Sequence, residues 1–276
     1  MIKNFCLHWN KFNEEIRSRN RFFPNPEWLP LLKAYFENNT EQIEESKTLF
    51  RARVFNYAPL TLDMNIITMI ENIENGLESK LTQNDINYFY DLDNGSYNNR
   101  IAEIKNGYLG FNEKESSAPP TNSANGRANP KGISYLYLCE DEQTCIKEIR
   151  PNMESWISMG KFSPIKNLKM AKMFFDNETL DKYKKKEDLL RFILDLTISY
   201  SAVCQKEEDY YATQYISEYI KSLGFDGFIF ESSFDNKKKC YVIFDPSNCV
   251  CKSSRLCKIK DVSYKTTKLY GLDDYV

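Results

Sequence analysis

The chain has 276 residues and a single histidine, His8. One imidazole excludes an H-E-x-x-H zinc site and any multi-histidine metal cluster. A Ser-His-Asp relay would need the N-terminus to fold back onto the site, and His8, between Leu7 and Trp9, reads as a packing residue. No G-x-x-x-x-G-K followed by Ser or Thr occurs, nor any G-x-G-x-x-G, so neither a P-loop nor a Rossmann site has support. A basic surplus is also lacking. Lys and Arg number 37 against 39 Asp and Glu, a net charge of −2, which gives no electrostatic reason to expect nucleic acid. No window reaches the roughly 18 apolar residues of a membrane span, and MIKNFCLHWNKF has no apolar run of signal-peptide length. The expected location is the cytoplasm, with no membrane partner.

In that compartment the 8 cysteines read as reduced thiols. Cys240, Cys249, Cys251 and Cys257 cluster, but without a paired C-x-x-C, so ordinary small core residues are favoured over a structural zinc. Hydrophobic residues make up 42% of the chain, which decides for a globular fold over disorder. With 18 Tyr and 18 Phe, most aromatics must be core, so a tyrosine alone says little.

Residues 126–150, GRANPKGISYLYLCEDEQTCIKEIR, concentrate the informative features. Gly126, Pro130 and Gly132 punctuate a turn. Ser134–Cys139 alternates as a strand, with Tyr135 and Tyr137 on one face and Leu136 and Leu138 on the other. Asp141 is placed to cap a helix whose Cys145, Ile146 and Ile149 share a face, with Glu148 about 60° off that arc, at the core's edge.

Around this block, 1–47 reads as a helical N-terminal segment, with Trp28, Leu31, Leu32 and Phe36 at helical spacing and Glu41, Glu44 and Glu45 on another amphipathic turn. Leu49–Phe55 reads as a strand that sends Arg51 and Arg53 to one face. Paired guanidinium forks suit an anion; a solvated or salt-bridged face is the plainer alternative and the preferred one on this pattern alone. An amphipathic helix is expected around Asp63–Leu77, and 111–130 is a long polar loop. Beyond the central block, Ser155–Phe162 and Leu168–Phe175 read as strands. Lys186–Gln205 and Tyr211–Leu223 read as helices, the second stopped by Gly224. Phe225–Glu231 and Lys239–Asp245 form a hairpin, with Ser232 and Ser233 where its first strand ends. Residues 249–276 show little pattern and read as a tail.

The series FRARV, APP, GRANPKGISYLYL, TCIKEIRP, TQYISEYIKSLGFDGFIFESS and YVIFDP resembles the RES-domain family, named for an arginine, a glutamate and a serine. It is similar in particular to the subfamily with a helical HEPN/RES-type N-terminal segment, which NRFF at 20–23 also fits. The resemblance covers roughly 48–246, with 10–47 matched more loosely, and divides the chain into the 1–47 segment, a RES domain at 48–248 and the 249–276 tail. It implies an α+β fold with an ADP-ribosyltransferase-like split β-sheet and surrounding helices. By function it implies a toxin that breaks the nicotinamide–ribose bond of NAD and is paired with an antitoxin. NAD is then the substrate, and no cofactor or metal is expected.

Carried over by motif, the family arginine falls on Arg51, with Arg53 beside it, the tyrosine on Tyr137, the glutamate on Glu148 and the serine on Ser232. Arg127 and Asn129 shape the pocket from the GRxN turn, Gln214 matches the TQ of the following helix, and Ser233 adjoins Ser232. One departure is Lys172, near a position where the family usually has an aspartate. The resemblance assigns the pyrophosphate to Arg51 with Arg53 or Arg127, the nicotinamide or ribose to Tyr137, a ribose hydroxyl to Glu148, and a phosphate or ribose contact to Ser232. Three readings follow: a glycohydrolase or phosphorylase of NAD, an ADP-ribosyltransferase acting on a protein, and a non-catalytic NAD-binding module.

Overall fold

The computed structural model describes residues 6–24, 26, 28–55, 103, 106–118, 123–176, 193, 196, 206–232, 234–235 and 238–263. The expected helix around 63–77 lies outside them. So does the one at 186–205, apart from Ile193 and Leu196, both helical and buried.

Among these residues eight strands form one sheet in the order β1-β5-β6-β7-β3-β2-β4-β8. They are β1 (Thr40–Ile43), β2 (Leu49–Val54), β3 (Leu136–Cys139), β4 (Trp156–Pro164), β5 (Leu168–Lys172), β6 (Gly227–Glu231), β7 (Lys239–Ile243) and β8 (Cys249–Lys258). Every pairing is antiparallel except β5 with β6. Helices α1 (Cys6–Ser18), α2 (Leu29–Asn38), α3 (Glu113–Ser116), α4 (Glu142–Ile149) and α5 (Tyr211–Ser222) surround it. The α+β class expected from the sequence is the class observed.

Strand alternation builds two cores from one sheet. On one face Tyr135, Cys139, Phe228, Phe230 and Val242 meet the helices. On the other Leu136, Leu138, Ile229, Tyr241 and Ile243 pack with Leu49 and Phe162. The N-terminal helices lie on the first face. Phe12 stands edge-on to Trp28 and Tyr215, with ring centroids 4.7 and 5.5 Å away, and the Tyr219 hydroxyl donates to the Leu29 carbonyl at 3.1 Å.

Strands β2 and β3 meet only at Phe50–Cys139. By contrast β2 runs along β4 from Leu49–Phe162 to Val54–Ile157. The sheet is thus split between β3 and β2, and α4 packs at that seam, its Cys145 thiol donating to the Phe50 carbonyl at 3.0 Å.

Two expectations are overturned. Residues 40–43 are not part of a helical appendage: they form an edge strand paired with β5, Thr40 opposite Ala171 and Ile43 opposite Leu168. The free polar edge of β5 outweighs the helical preference of a glutamate-rich segment. Nor is 249–258 a tail, since β8 pairs with β4 from Trp156–Lys258 to Pro164–Cys249. Its polar alternation, with Lys252 and Arg255 outward and Cys251 and Leu256 buried, is that of a half-exposed edge strand.

The α4 cap is as expected. Asp141 has an extended backbone and its carboxylate accepts from the Thr144 N–H at 2.9 Å. Burial alone would raise this carboxyl, but the hydrogen bonds from Thr144 and Lys238 hold it below its ordinary 3.8. A depressed folded value means that the stabilisation is complete above about pH 4 and is lost as pH falls through it. Asp141→Ala is expected to cost about 1 kcal/mol at neutral pH. In thermal unfolding the gap between variant and parent should be full at neutral pH and narrow as pH falls below about 4; a gap that does not narrow contradicts the cap assignment.

Candidate functional site

The site is built from the 126–132 turn, β3, α4 and the loop leaving β6. The turn is laced from within. The Asn129 amide nitrogen reaches Ser123 Oγ and the carbonyls of Ala124, Pro130 and Ile133 at 2.8 to 3.3 Å. Its Oδ1 accepts the Tyr137 hydroxyl at 2.7 Å. From α5, Gln214 Nε2 donates to Asn125 Oδ1 at 2.7 Å and to the Gly126 carbonyl at 2.8 Å. The neighbouring Thr213 hydroxyl donates to the Arg127 carbonyl at 2.6 Å. A side chain at Gly126 would collide with Asn129 and come within 2.9 Å of the Tyr137 hydroxyl, so only glycine lets the turn close this tightly.

Tyr137 is held by this turn at its tip, where its hydroxyl oxygen also accepts the Ala128 N–H at 3.1 Å. Burial pushes the phenol up to about 12, against the opposing pull of the Ala128 N–H, Arg127, Asn129 and Arg51, so it stays neutral. What Tyr137 offers a ligand is therefore its ring.

The structure brings Glu148 and Ser232 together: Ser232 Oγ donates to Glu148 Oε1 at 2.6 Å. The same hydroxyl oxygen accepts the Phe234 N–H at 3.2 Å. Cys240 Sγ lies 3.8 Å from Glu148 Oε1. On the other oxygen, Arg127 Nη1 stands 3.9 Å from Oε2. The loop after β6 is fastened along α4 by Lys147–Asp235 at 2.8 Å and by Arg150 above the Phe234 ring at 4.4 Å. Glu148 is partly exposed and Ser232 buried, so the serine supports the carboxylate from below.

Arg51 and Arg53 leave β2 on its other side, although the Arg51 charge still acts on Tyr137 across the seam. Because Phe50 pairs with Cys139, alternation turns both arginines to the face opposite Tyr137. Arg51 Nη1 donates to the Ser116 carbonyl at 2.6 Å, and Arg53 donates to the Glu115 carbonyl and sits over the Phe111 ring. Burial and the neighbouring Arg53 charge lower the Arg51 guanidinium to about 10. Neither a solvated nor a salt-bridged face describes this pair: it binds the 111–116 segment to the sheet. The arginine beside Glu148 is Arg127. Ser233 lies outside the described residues, and Lys172 pairs with Asp176 at 2.7 Å.

The four clustered cysteines do not converge. Cys240 and Cys257 belong to one face of the sheet, Cys249 and Cys251 to the other. No group of described residues is suited to hold a metal ion, and no described helix is long and apolar enough to cross a membrane. An open cavity of about 460 Å³, lined by Lys166, Lys221, Phe225, Asp226, Phe244 and Asp245, lies at the opposite ends of β6 and β7 from Ser232.

A family model described as the RES domain matches residues 100–263, more than half of the chain. The chain belongs to the RES-domain family. The matched span contains Arg127, Tyr137, Glu148 and Ser232, but it begins after Arg51 and Arg53. Among solved structures, the M. tuberculosis MbcT–MbcA toxin–antitoxin complex is similar at 10% identity over 82% of this chain and 91% of that one, with a TM-score of 0.38, too distant a likeness to carry an argument. The comparison with curated proteins found no match.

The residues that sequence reasoning missed are Thr213, which fixes the Arg127 backbone, and Cys240, beneath Glu148. Thr213 was adjacent to a residue already singled out; Cys240 carried no signal beyond its place on an alternating strand.

Asn129 satisfies so many buried groups that Asn129→Ala is expected to lower stability by about 2–4 kcal/mol in urea unfolding. A loss under about 0.5 kcal/mol, typical of surface changes, contradicts the lacing described here.

Proposed function

We propose that this RES-domain protein is a toxin that degrades NAD by breaking the bond between nicotinamide and ribose, on an ADP-ribosyltransferase-like split sheet. The observation that carries the reading is the carboxylate of Glu148, held at a set position by Ser232 and faced by Arg127, whose charge also reaches Tyr137.

The chemistry suits a site without histidine. Nicotinamide is a pyridinium while bound to ribose and leaves as a neutral molecule, taking the electron pair of the broken C–N bond. No general acid is required. The task left to the protein is to orient the ribose and to stabilise the positive charge that spreads over its C1′ and ring oxygen. Glu148 accepts a ribose hydroxyl and offsets that charge. Tyr137 presents its ring to the nicotinamide, and Arg127, which faces Glu148, takes the pyrophosphate. Water then adds to C1′ and releases a proton, or phosphate adds to give a phosphate ester of ADP-ribose. NAD is substrate, not cofactor. An antitoxin partner covering this pocket and a cytoplasmic setting belong to the same reading.

Purified protein incubated with NAD should release free nicotinamide. Glu148→Gln should lower that rate by about 10²–10³-fold, the usual cost of losing one positioned electrostatic contact. Dependence on added phosphate separates the phosphorylase from the glycohydrolase, while label from NAD appearing on a macromolecule identifies a transferase. Bound but intact NAD after hours, for the parent and Glu148→Gln alike, overturns the reading in favour of a binding module.

A further inference from the structure

The floor beneath Glu148 is made of thiols that the reaction itself does not require. Cys139, Cys145 and Cys240 are all buried on the same face of the sheet. Cys139 and Cys240 stand opposite each other on β3 and β7. The next pair along the ladder, Glu140 with Lys239, is joined by a backbone hydrogen bond. In an antiparallel ladder this makes Cys139–Cys240 a non-hydrogen-bonded pair, the kind whose side chains approach more closely. Their sulfurs are 3.7 Å apart, and Cys240 Sγ is 3.8 Å from Glu148 Oε1.

Hydrogen count fixes the direction of this chain of contacts. An ionised carboxylate only accepts, whereas a thiol has one hydrogen to donate and a sulfur that accepts weakly. The Cys240 hydrogen therefore goes to Glu148, and the Cys139 hydrogen is free to go to the Cys240 sulfur. The Cys139 thiol is driven strongly upward by its Cys145 and Cys240 contacts and by burial, so it keeps its proton. Cys145 directs its own thiol to the Phe50 carbonyl at 3.0 Å. Around the carboxylate stand Ser232 and Cys240 at Oε1 and Arg127 at Oε2, with Tyr137 and Cys139 on the adjoining strand.

We infer that Cys240 is a positioning residue for Glu148: with Ser232 it holds Oε1 between two donors, which fixes the carboxylate's rotation and presents Oε2 to the ligand. One donor defines a distance but leaves the carboxylate able to swing about it. Two donors from separate segments, one in the loop after β6 and one on β7, define its plane. The inference rests on the proposed role of Glu148 for its kinetic consequence, but not for the geometry.

The test compares Cys240→Ser with Cys240→Ala. A serine keeps a donor at this position and an alanine removes it, while for packing alone the order of preference is reversed, because alanine suits an apolar floor better than a hydroxyl does. With NAD as substrate, Cys240→Ala should lower kcat about three- to tenfold with little change in KM, as expected for a weak hydrogen bond acting on the reacting group. Cys240→Ser should restore kcat to within about twofold of the parent. Crystal structures of the two variants supply a readout independent of turnover: with Ser232 still bound to Oε1 in both, the carboxylate plane and Oε2 keep the parent's orientation in the serine variant and turn about the Ser232 bond in the alanine variant. Alanine matching the parent in kcat, or an unmoved carboxylate in the alanine variant, overturns the inference. If the parent releases no nicotinamide, the NAD reading fails on its own, and the crystal structures still decide whether Cys240 positions Glu148.

Discussion

The hydrogen bond from Ser232 to Glu148, at 2.6 Å, joins two segments 84 residues apart in the chain. One is the short helix that follows β3, the other the loop that leaves β6. Neither is deeply anchored alone: α4 has eight residues and is half-exposed along its outer face. Contacts along the helix, from Lys238 with Asp141 to Arg150 over Phe234, keep the loop in register so that the serine reaches the carboxylate. The acid is thereby placed by tertiary structure rather than by its own rotamer preference, which is what a preorganised electrostatic site requires.

The opposite wall depends on a different economy. The turn at 126–132 is stabilised from within by Asn129 and from α5 by Gln214 and Thr213. Through the Asn129 amide, Gln214 Nε2 and the Thr213 hydroxyl, these residues set the backbone of Arg127 and the tip of Tyr137. The split between β3 and β2 provides the room. Under the proposed NAD-cleaving reading such a site needs no imidazole, because positioning and charge take the place of proton transfer.

Much of this was readable from local pattern. The Asp141 cap, the alternation of β3 and the hairpin of β6 and β7 are short-range features, and each appears where residue spacing places it. Three things were not. Edge strands β1 and β8 owe their conformation to partners far along the chain, so Glu41 looked helical and Lys252 patternless. The arginine facing Glu148 depends on which face of the sheet each strand turns toward the helices, and that follows from the Phe50–Cys139 register rather than from the RAR spacing. Cys240 became visible only once β7 lay beneath α4.

The most direct measurement is a crystal structure with a non-cleavable NAD analogue in which a methylene replaces the oxygen of the nicotinamide-bearing ribose ring. The account predicts a hydroxyl of that ring within hydrogen-bond distance of Glu148, the nicotinamide against Tyr137 and the pyrophosphate near Arg127. An analogue bound at the far ends of β6 and β7, in the cavity of Lys166 and Lys221, with Glu148 untouched, would contradict it.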